Sequence, residues 1–252
     1  MINSIRAEFR KLITVRSTYF ITGLVILVAI FFGFYVFGIK ANSLEAQNQF
    51  WIRDNVFLIF NNVGFFLGLI GILMFTHEYR YNIINYTLTS VKNRIRVLLA
   101  KTFVMSAFSV VFFALLVGVS TLAIMFGMSL SNVDFVTQNL DFGQLVWRGL
   151  FGAFGIAMFG LIIGGLVRNQ VGAIVGFLVG PGALEGLLTL LLKSKAVYLP
   201  FTALNQVIFA PGGETFNGTK LLSPGKSAIV VCVYIVVFWL LALWLLKRRD
   251  AN

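Results

Sequence analysis

The sequence predicts an all-α integral membrane protein with six transmembrane helices, an N-terminal amphipathic helix at the membrane interface, and both termini in the cytoplasm. Composition is the first observation behind this prediction. Of the 252 residues, 59% are hydrophobic and 12% are charged, and the mean hydropathy is +0.92. A soluble domain carries about 25% charged residues. We therefore expect residues 1–252 to form one membrane domain.

Six apolar runs are the second observation. Each is close to the ~20 residues that an α-helix needs to cross ~30 Å of hydrocarbon. The third run is long enough to tilt or to extend past the membrane, and a tight polar turn at 168–170 separates the fourth run from the fifth. The six runs cover residues 18–39, 56–75, 102–128, 145–167, 171–192 and 227–246.

The placement of the 20 Lys and Arg residues is the third observation. With the N-terminus inside, thirteen fall in cytoplasmic segments and seven outside, as expected for a membrane protein in this orientation. The formal net charge of +11 is therefore explained by topology, and we expect the lipid bilayer as a partner and no nucleic acid. The seven outer residues are Lys40, Arg53, Arg148, Lys193, Lys195, Lys220 and Lys226.

Residues 1–17 are predicted to form the interfacial helix. Five apolar residues share one face of this helix, and such a helix lies with its apolar side at the acyl boundary. A plain positive flank is the alternative. The apolar face holds Ile2, Ile5, Phe9, Leu12 and Ile13, and the residues expected at the membrane interface are Arg6, Phe9, Arg10 and Lys11.

Residues 77–101 are predicted to form a cytoplasmic loop, the longest polar and basic interruption of the chain. Tyr81, Ile84 and Leu88 recur at helical spacing, which predicts a short amphipathic helix over 81–89. The alternative is a solvated positive loop that only sets orientation.

Residues 193–226 are predicted to lie outside the cell and to include a short interfacial or re-entrant helix. Just before them, Pro181 stands between two glycines and should break or kink the fifth span. Glu185 follows one turn later, and an ionisable residue at membrane depth is a functional candidate. We therefore place Pro181 and Glu185 in a translocation pathway. The alternative is that Glu185 reaches water or pairs with Lys193 or Lys195 at the outer end.

Several kinds of chemistry are not expected in this chain. His77 is the single histidine and has no second His or Cys nearby in the sequence, so no metal site is expected. No G-x-x-x-x-G-K-[ST] motif occurs, so the chain should not bind ATP through a P-loop of its own. We expect no catalytic residues.

Three segments carry a family resemblance: EFRKLITVRSTY at 8–19, THEYRYNIINYTLTSVKNRIRVLLAK at 76–101, and YLPFTALN at 198–205. Together with the six spans, they resemble the ABC-2 family of transporter permeases, the membrane subunits of bacterial exporters. The second segment is similar to the family pattern T-x-E-Y-R … T-L … R … A-K. The matching residues are Thr76, Glu78, Tyr79, Arg80, Thr87, Leu88, Arg94, Ala100 and Lys101.

The resemblance implies an arrangement of partners in a bacterial plasma membrane. Two permease subunits, identical or different, would form the pathway, and each would dock through its first cytoplasmic loop onto a separate ATPase. Two ATPase copies would carry ATP and Mg²⁺, with no cofactor on this chain. Ion pairing between the 78–80 segment and the N-terminal helix would anchor the loop. The implied coupling residues are Glu78, Tyr79, Arg80, Tyr81, Ile84, Asn85, Thr87 and Leu88.

The predicted function is therefore a non-enzymatic permease subunit of an ATP-driven exporter. Because the spans carry few charges, we expect a hydrophobic or amphipathic substrate such as a lipid, a peptide or a drug-like molecule. The alternative function is a non-transporting membrane anchor or sensor of the same fold, in envelope remodelling or immunity.

Overall fold

The computed structural model describes residues 2–40, 50–81, 83, 94–132, 141–209, 215–216 and 219–248. Nine α-helices account for most of them, and the one β-ladder within these ranges joins Thr215–Phe216 to Thr219–Lys220. The helices are α1 (Ile2–Thr14), α2 (Arg16–Phe31), α3 (Trp51–Arg80), α4 (Arg94–Leu130), α5 (Phe142–Val167), α6 (Gln170–Val179), α7 (Glu185–Leu192), α8 (Pro200–Phe209) and α9 (Pro224–Arg248).

Six helical stretches are long and apolar enough to cross a membrane, which confirms the predicted all-α fold and its six spans. The 37-residue α4 is about 55 Å long at 1.5 Å per residue, so it extends past the hydrocarbon as predicted. The orientation of the termini stays a prediction. The six spans are Arg16–Ile39, Trp51–Arg80, Arg94–Leu130, Phe142–Val167, Gln170–Tyr198 and Pro224–Leu246.

The second and fourth spans form the centre of the bundle, because both are mostly buried inside the chain. Their helices α3 and α5 meet where Gly68 faces Gly160, and a Cβ at Gly160 would collide with the Gly68 backbone. A Cβ at Gly71 would likewise lie 2.7 Å from the carbonyl oxygen of Ala157. Small residues allow such backbone approach between membrane helices, which explains the glycines at four-residue spacing in these two spans.

Two spans contain π-helical turns. In the first span, Phe32–Ile39 continues α2 as a π-helix and packs on α4, where Gly38 lies against Gly127. In the fifth span, the predicted break at Pro181 takes the form of a π-helical stretch, Gly180–Leu184, between α6 and α7. Proline cannot donate a backbone hydrogen bond, and a wider local turn is one way for a helix to accommodate it.

The two cytoplasmic segments predicted from the sequence have narrower boundaries in the structure. The N-terminal helix α1 ends at Thr14, and Val15 separates it from α2. In the predicted 77–101 loop, residues 77–80 complete α3 and residues 94–101 begin α4. Their buried side chains, which continue the buried faces of both spans, are Glu78, Val97, Leu98, Ala100 and Lys101. Residues 81–93 join the two helices.

The short helix predicted within 193–226 is present as α8, after a 3₁₀ stretch at Lys193–Tyr198, and its location outside the cell stays a prediction. It packs on α5 and α9 through one buried face, and Phe201 contacts the rings of Phe159 and Phe177 at centroid distances of 5.1 and 5.7 Å. The buried residues of α8 are Ala203, Leu204, Gln206, Val207 and Ile208.

Candidate functional site

Four charged residues form an ion cluster where α1, α3 and α4 meet. Lys101, in α4, is at its centre and is fully buried. Its ammonium donates to Glu8 Oε2 at 2.7 Å, to Glu78 Oε1 at 2.8 Å and to the carbonyl oxygen of Met74 at 3.0 Å. A lysine ammonium has three N–H groups, so every donor of Lys101 has an acceptor.

The N-terminal helix contributes the second pair of charges, Glu8 and Lys11. Lys11 Nζ lies 2.7 Å from Glu8 Oε1 and 2.7 Å from Glu78 Oε1. Burial alone would lower the pKa of Lys11, but the carboxylates of Glu78 and Glu8 hold this pKa above its ordinary value. Lys11 therefore keeps its charge at physiological pH, and the cluster contains two positive and two negative groups.

Glu78 connects the N-terminal helix to the end of the second span. The ion pair predicted between the 78–80 segment and the N-terminal helix is confirmed, with Lys11 as the partner of Glu78. Glu78 Oε1 accepts both lysines, whereas its buried Oε2 has no hydrogen-bond partner within the described ranges. A buried ion pair is costly to break from one side, because the remaining charge loses its partner.

Arginines fix the surroundings of the 81–93 connection. Arg94 Nη1, at its far end, donates to the carbonyl oxygen of Leu246 at 2.6 Å, and Arg80 Nη1 donates to Gln170 Oε1 at 3.1 Å. Arg168 donates to the carbonyl oxygen of Leu245 and lies 5.1 Å from the ring of Tyr79. Cationic side chains at a helix C-terminus satisfy its free carbonyl groups, so α9 is tied to both ends of the connection.

The structure describes part of the predicted coupling set. Glu78, Tyr79 and Arg80 form the last turn of α3, and Tyr81 follows with 61% of its surface exposed. The remaining residues of that set, Ile84, Asn85, Thr87 and Leu88, lie outside the described residues. Tyr81 lies in a turn and Ile83 is not helical, so the predicted amphipathic helix does not begin at 81, and its remainder over 84–89 stays a prediction.

The residues predicted at the membrane interface divide into two groups. Arg6, Phe9 and Arg10 are exposed, as an interfacial role requires. Lys11 instead points into the ion cluster. The apolar face of α1 also divides, because Leu12 is buried against the bundle while Ile2, Phe9 and Ile13 remain exposed.

Sequence reasoning missed Glu8, and it noted Lys101 only as part of a family pattern. One signal was available for Glu8. Glu8 lies three residues after Ile5 and four before Leu12, so it shares the side of the helix that packs on the bundle. Lys101 gave a similar signal, because it lies beside a long apolar run in a helix that starts seven residues earlier.

At the other end of the bundle, Glu185 caps a helix. The carboxylate is 6% exposed and accepts from the backbone N–H groups of Phe201 and Thr202 and from the Thr202 hydroxyl, each at 2.7 Å. These two N–H groups belong to the first turn of α8, where an acidic group is stabilised by the helix dipole. The alternative pairing with Lys193 or Lys195 is not found among the described residues.

Pro181 lies beside a cavity of about 290 Å³ between α3, α5, α6 and α8. Most of its lining is apolar, and Asn61 and Asn205 supply amide groups. Phe201 and Leu204 belong to α8, the helix that Glu185 caps. The structure thus brings Pro181 to a cavity wall and gives Glu185 an indirect connection to the same cavity.

Within the described part of the chain, no group of three His, Cys, Asp or Glu residues is placed to hold a metal ion.

The sequence model of a family described as ABC-2 family transporter protein matches residues 4–180. The chain belongs to the ABC-2 transporter family. No curated protein matches the chain significantly.

The ABC-2 match covers most of α1, the first four spans and about the first third of the fifth. All four residues of the ion cluster lie inside the matched region. The protein is therefore a multi-pass membrane transport component of this family, and partnership with an ABC ATPase is a general feature of the family.

Proposed function

We propose that this ABC-2 protein is the permease subunit of an ATP-driven exporter in a bacterial plasma membrane, with both termini in the cytoplasm. ATP and Mg²⁺ would bind to two copies of a separate ATPase, and this chain would carry no catalytic residues. The observation that carries the proposal is the ion cluster, which joins α1, α3 and α4 next to the 81–93 connection in a protein of a transport family.

The ion cluster and the arginines beside it hold the helix ends on either side of the 81–93 connection in place. Glu78 and Lys101 bind each other on the two helices that the connection joins, and Arg94 holds its far end to α9. A force applied to the connection by an ATPase would therefore move α3 and α4 together with the N-terminal helix. Rigid-body rocking of packed helices is a common form of transport motion. We propose that Glu78, Tyr79, Arg80, Tyr81, Ile84, Asn85, Thr87 and Leu88 mediate this coupling.

The cavity beside Pro181 supports an apolar or amphipathic substrate. Its lining is predominantly apolar with a few polar groups, which is the usual character of a small-molecule site. We place Pro181 on the translocation pathway and assign Glu185 the task of holding α8 in the cavity wall.

A second permease subunit would pack on the fifth span. Only 11% of the most apolar 18-residue stretch of this span is buried inside the chain, compared with 67% of the corresponding stretch in the second and fourth spans. Gly176 has no neighbouring atom within 4 Å of a Cβ built on it, so another helix could approach closely there. An identical or a different permease would fit this face.

Co-purification followed by reconstitution tests the proposal. The tagged chain is isolated in mild detergent, and a P-loop ATPase is expected in stoichiometric amount. Replacing exposed Tyr81 by Asp should remove the ATPase without preventing membrane insertion. Tyr198→Asp changes another exposed tyrosine at the other end of the bundle and should retain the ATPase. Absence of an ATPase in all detergents would contradict the proposal.

The reconstituted complex then distinguishes export from the alternative function. ATP hydrolysis in proteoliposomes is measured with lipids, peptides and hydrophobic drugs as candidate substrates. Stimulated hydrolysis with movement of the substrate across the bilayer supports an exporter. ATPase binding without any substrate movement would instead indicate a membrane anchor or sensor.

A further inference from the structure

A larger cavity of about 700 Å³, here called the boundary cavity, lies beside the ion cluster. It is bordered by the junction of α1 and α2, the end of α3 and the start of α6. Arg16 is the first residue of the first span, Arg80 is the last residue of the second, and Gln170 is the first residue of the fifth. The boundary cavity therefore lies at the level where the spans leave the membrane.

The boundary cavity has an apolar floor and a basic rim. Leu12, Ile70 and Leu73 supply buried apolar surface, while exposed Arg16 and Arg80 stand at its edge. A cavity with this division fits a molecule that has a charged head and a hydrocarbon body. At the membrane boundary, both parts of such a molecule can be placed in their preferred surroundings.

The excess positive charge around the boundary cavity favours a molecule with an anionic headgroup. Within the ion cluster, the two lysines match the two glutamates, so the cluster contributes no net charge. Arg16 and Arg80 add two positive charges, and neither has a carboxylate partner within the described part of the chain. An anion between them would gain two charge-assisted contacts in a partly desolvated site.

The start of α2 adds hydrogen-bond donors to the same cavity. Val15, in the cap position of α2, provides no side-chain cap, and among the first-turn N–H groups only that of Thr18 has a backbone acceptor in the described residues, the carbonyl oxygen of Val15. Free N–H groups at a helix N-terminus favour phosphate and other anions. Ser17 also borders the cavity, and its buried hydroxyl has no hydrogen-bond partner in the residues that the structure describes. These donors point to an acceptor-rich head such as a phosphodiester.

We infer that the boundary cavity binds one anionic glycerophospholipid from the adjacent leaflet. Its phosphate lies between Arg16, Arg80 and the N-terminus of α2, and an acyl chain covers the floor at Leu73. The bound lipid connects the first span to the end of the second beside the ion cluster, and so stabilises this end of the bundle. The inference needs the chain to lie in a membrane, but it does not depend on export.

A lipid titration of the purified full-length chain tests this inference. Thermal unfolding in detergent is followed by tryptophan fluorescence with added phosphatidylglycerol, with phosphatidylcholine of the same acyl chains, or with glycerol phosphate. A ligand that binds only the folded state raises its Tm. Phosphatidylglycerol is expected to raise the Tm by a few degrees, with little effect of the other two. An equal rise in Tm with phosphatidylcholine would show that the site does not select an anionic headgroup. An equal rise with glycerol phosphate would show that the site does not need the acyl chains of a lipid. Either result would overturn the inference.

Two charge-matched double variants locate the site. R16Q/R80Q removes both rim charges and should weaken the apparent affinity for phosphatidylglycerol about tenfold, the equivalent of one charge-assisted hydrogen bond. K193Q/K195Q removes the same charge from exposed positions at the other end of the bundle that do not border the cavity, and should leave the affinity unchanged. An equal loss in both variants would show diffuse attraction to the protein surface and would overturn the site.

Discussion

The ammonium of Lys101 lies 2.7 Å from the carboxylate of Glu8, although 93 positions separate the two residues in the chain. Both groups are buried, with Lys101 completely inaccessible and Glu8 3% exposed. This contact fastens the N-terminal helix to the start of the third span, and Glu78 extends the connection to the second span. The base of the proposed coupling loop is therefore made by residues from three separate parts of the chain.

Replacing Lys101 by Met should destabilise the protein by about 3–5 kcal/mol, because the two buried glutamates would then share Lys11 alone and the cluster would carry a net negative charge. Thermal or denaturant unfolding in detergent measures the loss. Lys195→Met removes an exposed lysine from the opposite end of the bundle and should have little effect. Equal stability of the two variants would contradict the structural role of the cluster.

Glu78→Gln and Arg80→Gln should each uncouple ATP hydrolysis from transport while leaving membrane insertion intact. Both changes weaken contacts that fix the end of α3 beside the connection. The number of substrate molecules moved per ATP should fall about tenfold, within the usual range of coupling energies. Arg96→Gln, at an exposed position of α4, serves as the control. Normal transport ratios in both variants would be incompatible with this role.

Gly160→Ala should cost about 1–3 kcal/mol of stability, because the new methyl group meets the Gly68 backbone and forces α3 and α5 apart. Gly118→Ala provides a matched control, since a Cβ there has no atom within 4 Å. Unfolding of both variants in the same detergent gives the comparison. The predicted helix contact would be in error if Gly160→Ala were as stable as the control.

Glu185→Leu should loosen α8, since two backbone N–H groups and one hydroxyl would lose their acceptor at a cost of about 1–3 kcal/mol each. Hydrogen exchange of residues 201–208 is expected to accelerate. The double change K193M/K195M should leave this exchange unaltered, because neither lysine pairs with Glu185 in the described structure. Unchanged exchange in Glu185→Leu, with transport lost, would indicate a direct role in the pathway instead.

The orientation of the chain can be read from cysteine labelling. Cys232 is the single cysteine, so a C232S background reports introduced cysteines alone. Arg6→Cys should react with a membrane-impermeant reagent only in inside-out vesicles, and Lys195→Cys only in right-side-out cells. The opposite pattern would reverse the predicted topology.

The spans and their order were predictable from local patterns. Run length specifies a membrane helix because the bilayer has a nearly fixed thickness, and no tertiary information is needed for that step. Glycines at four-residue spacing, such as Gly64 and Gly68, indicate close helix packing, but the meeting of Gly68 with Gly160 is seen only in the fold. The ion pair between the N-terminal helix and Glu78 was also expected, although only through family resemblance.

The partners of the charged groups could not be assigned in this way. Glu185 illustrates the difficulty. Its sequence neighbours Lys193 and Lys195 suggested an ion pair, yet its carboxylate oxygens accept hydrogen bonds from two backbone N–H groups of α8, sixteen and seventeen residues away. Backbone N–H groups exist at every position except proline, so they leave no mark in a sequence pattern. Their availability depends on where a helix begins and what lies beside that end.

Hydrophobic length, small-residue spacing and charge asymmetry therefore prescribe a six-span membrane protein, because each is a one-dimensional requirement of the lipid solvent. The ion cluster, the cap on α8 and the boundary cavity arise only after folding. In each of them, residues far apart in the chain meet within 3 Å or enclose a common space, and the burial of a charge is acceptable only when its partners arrive with it. Packing of α1, α3 and α4 against one another decides which charges meet.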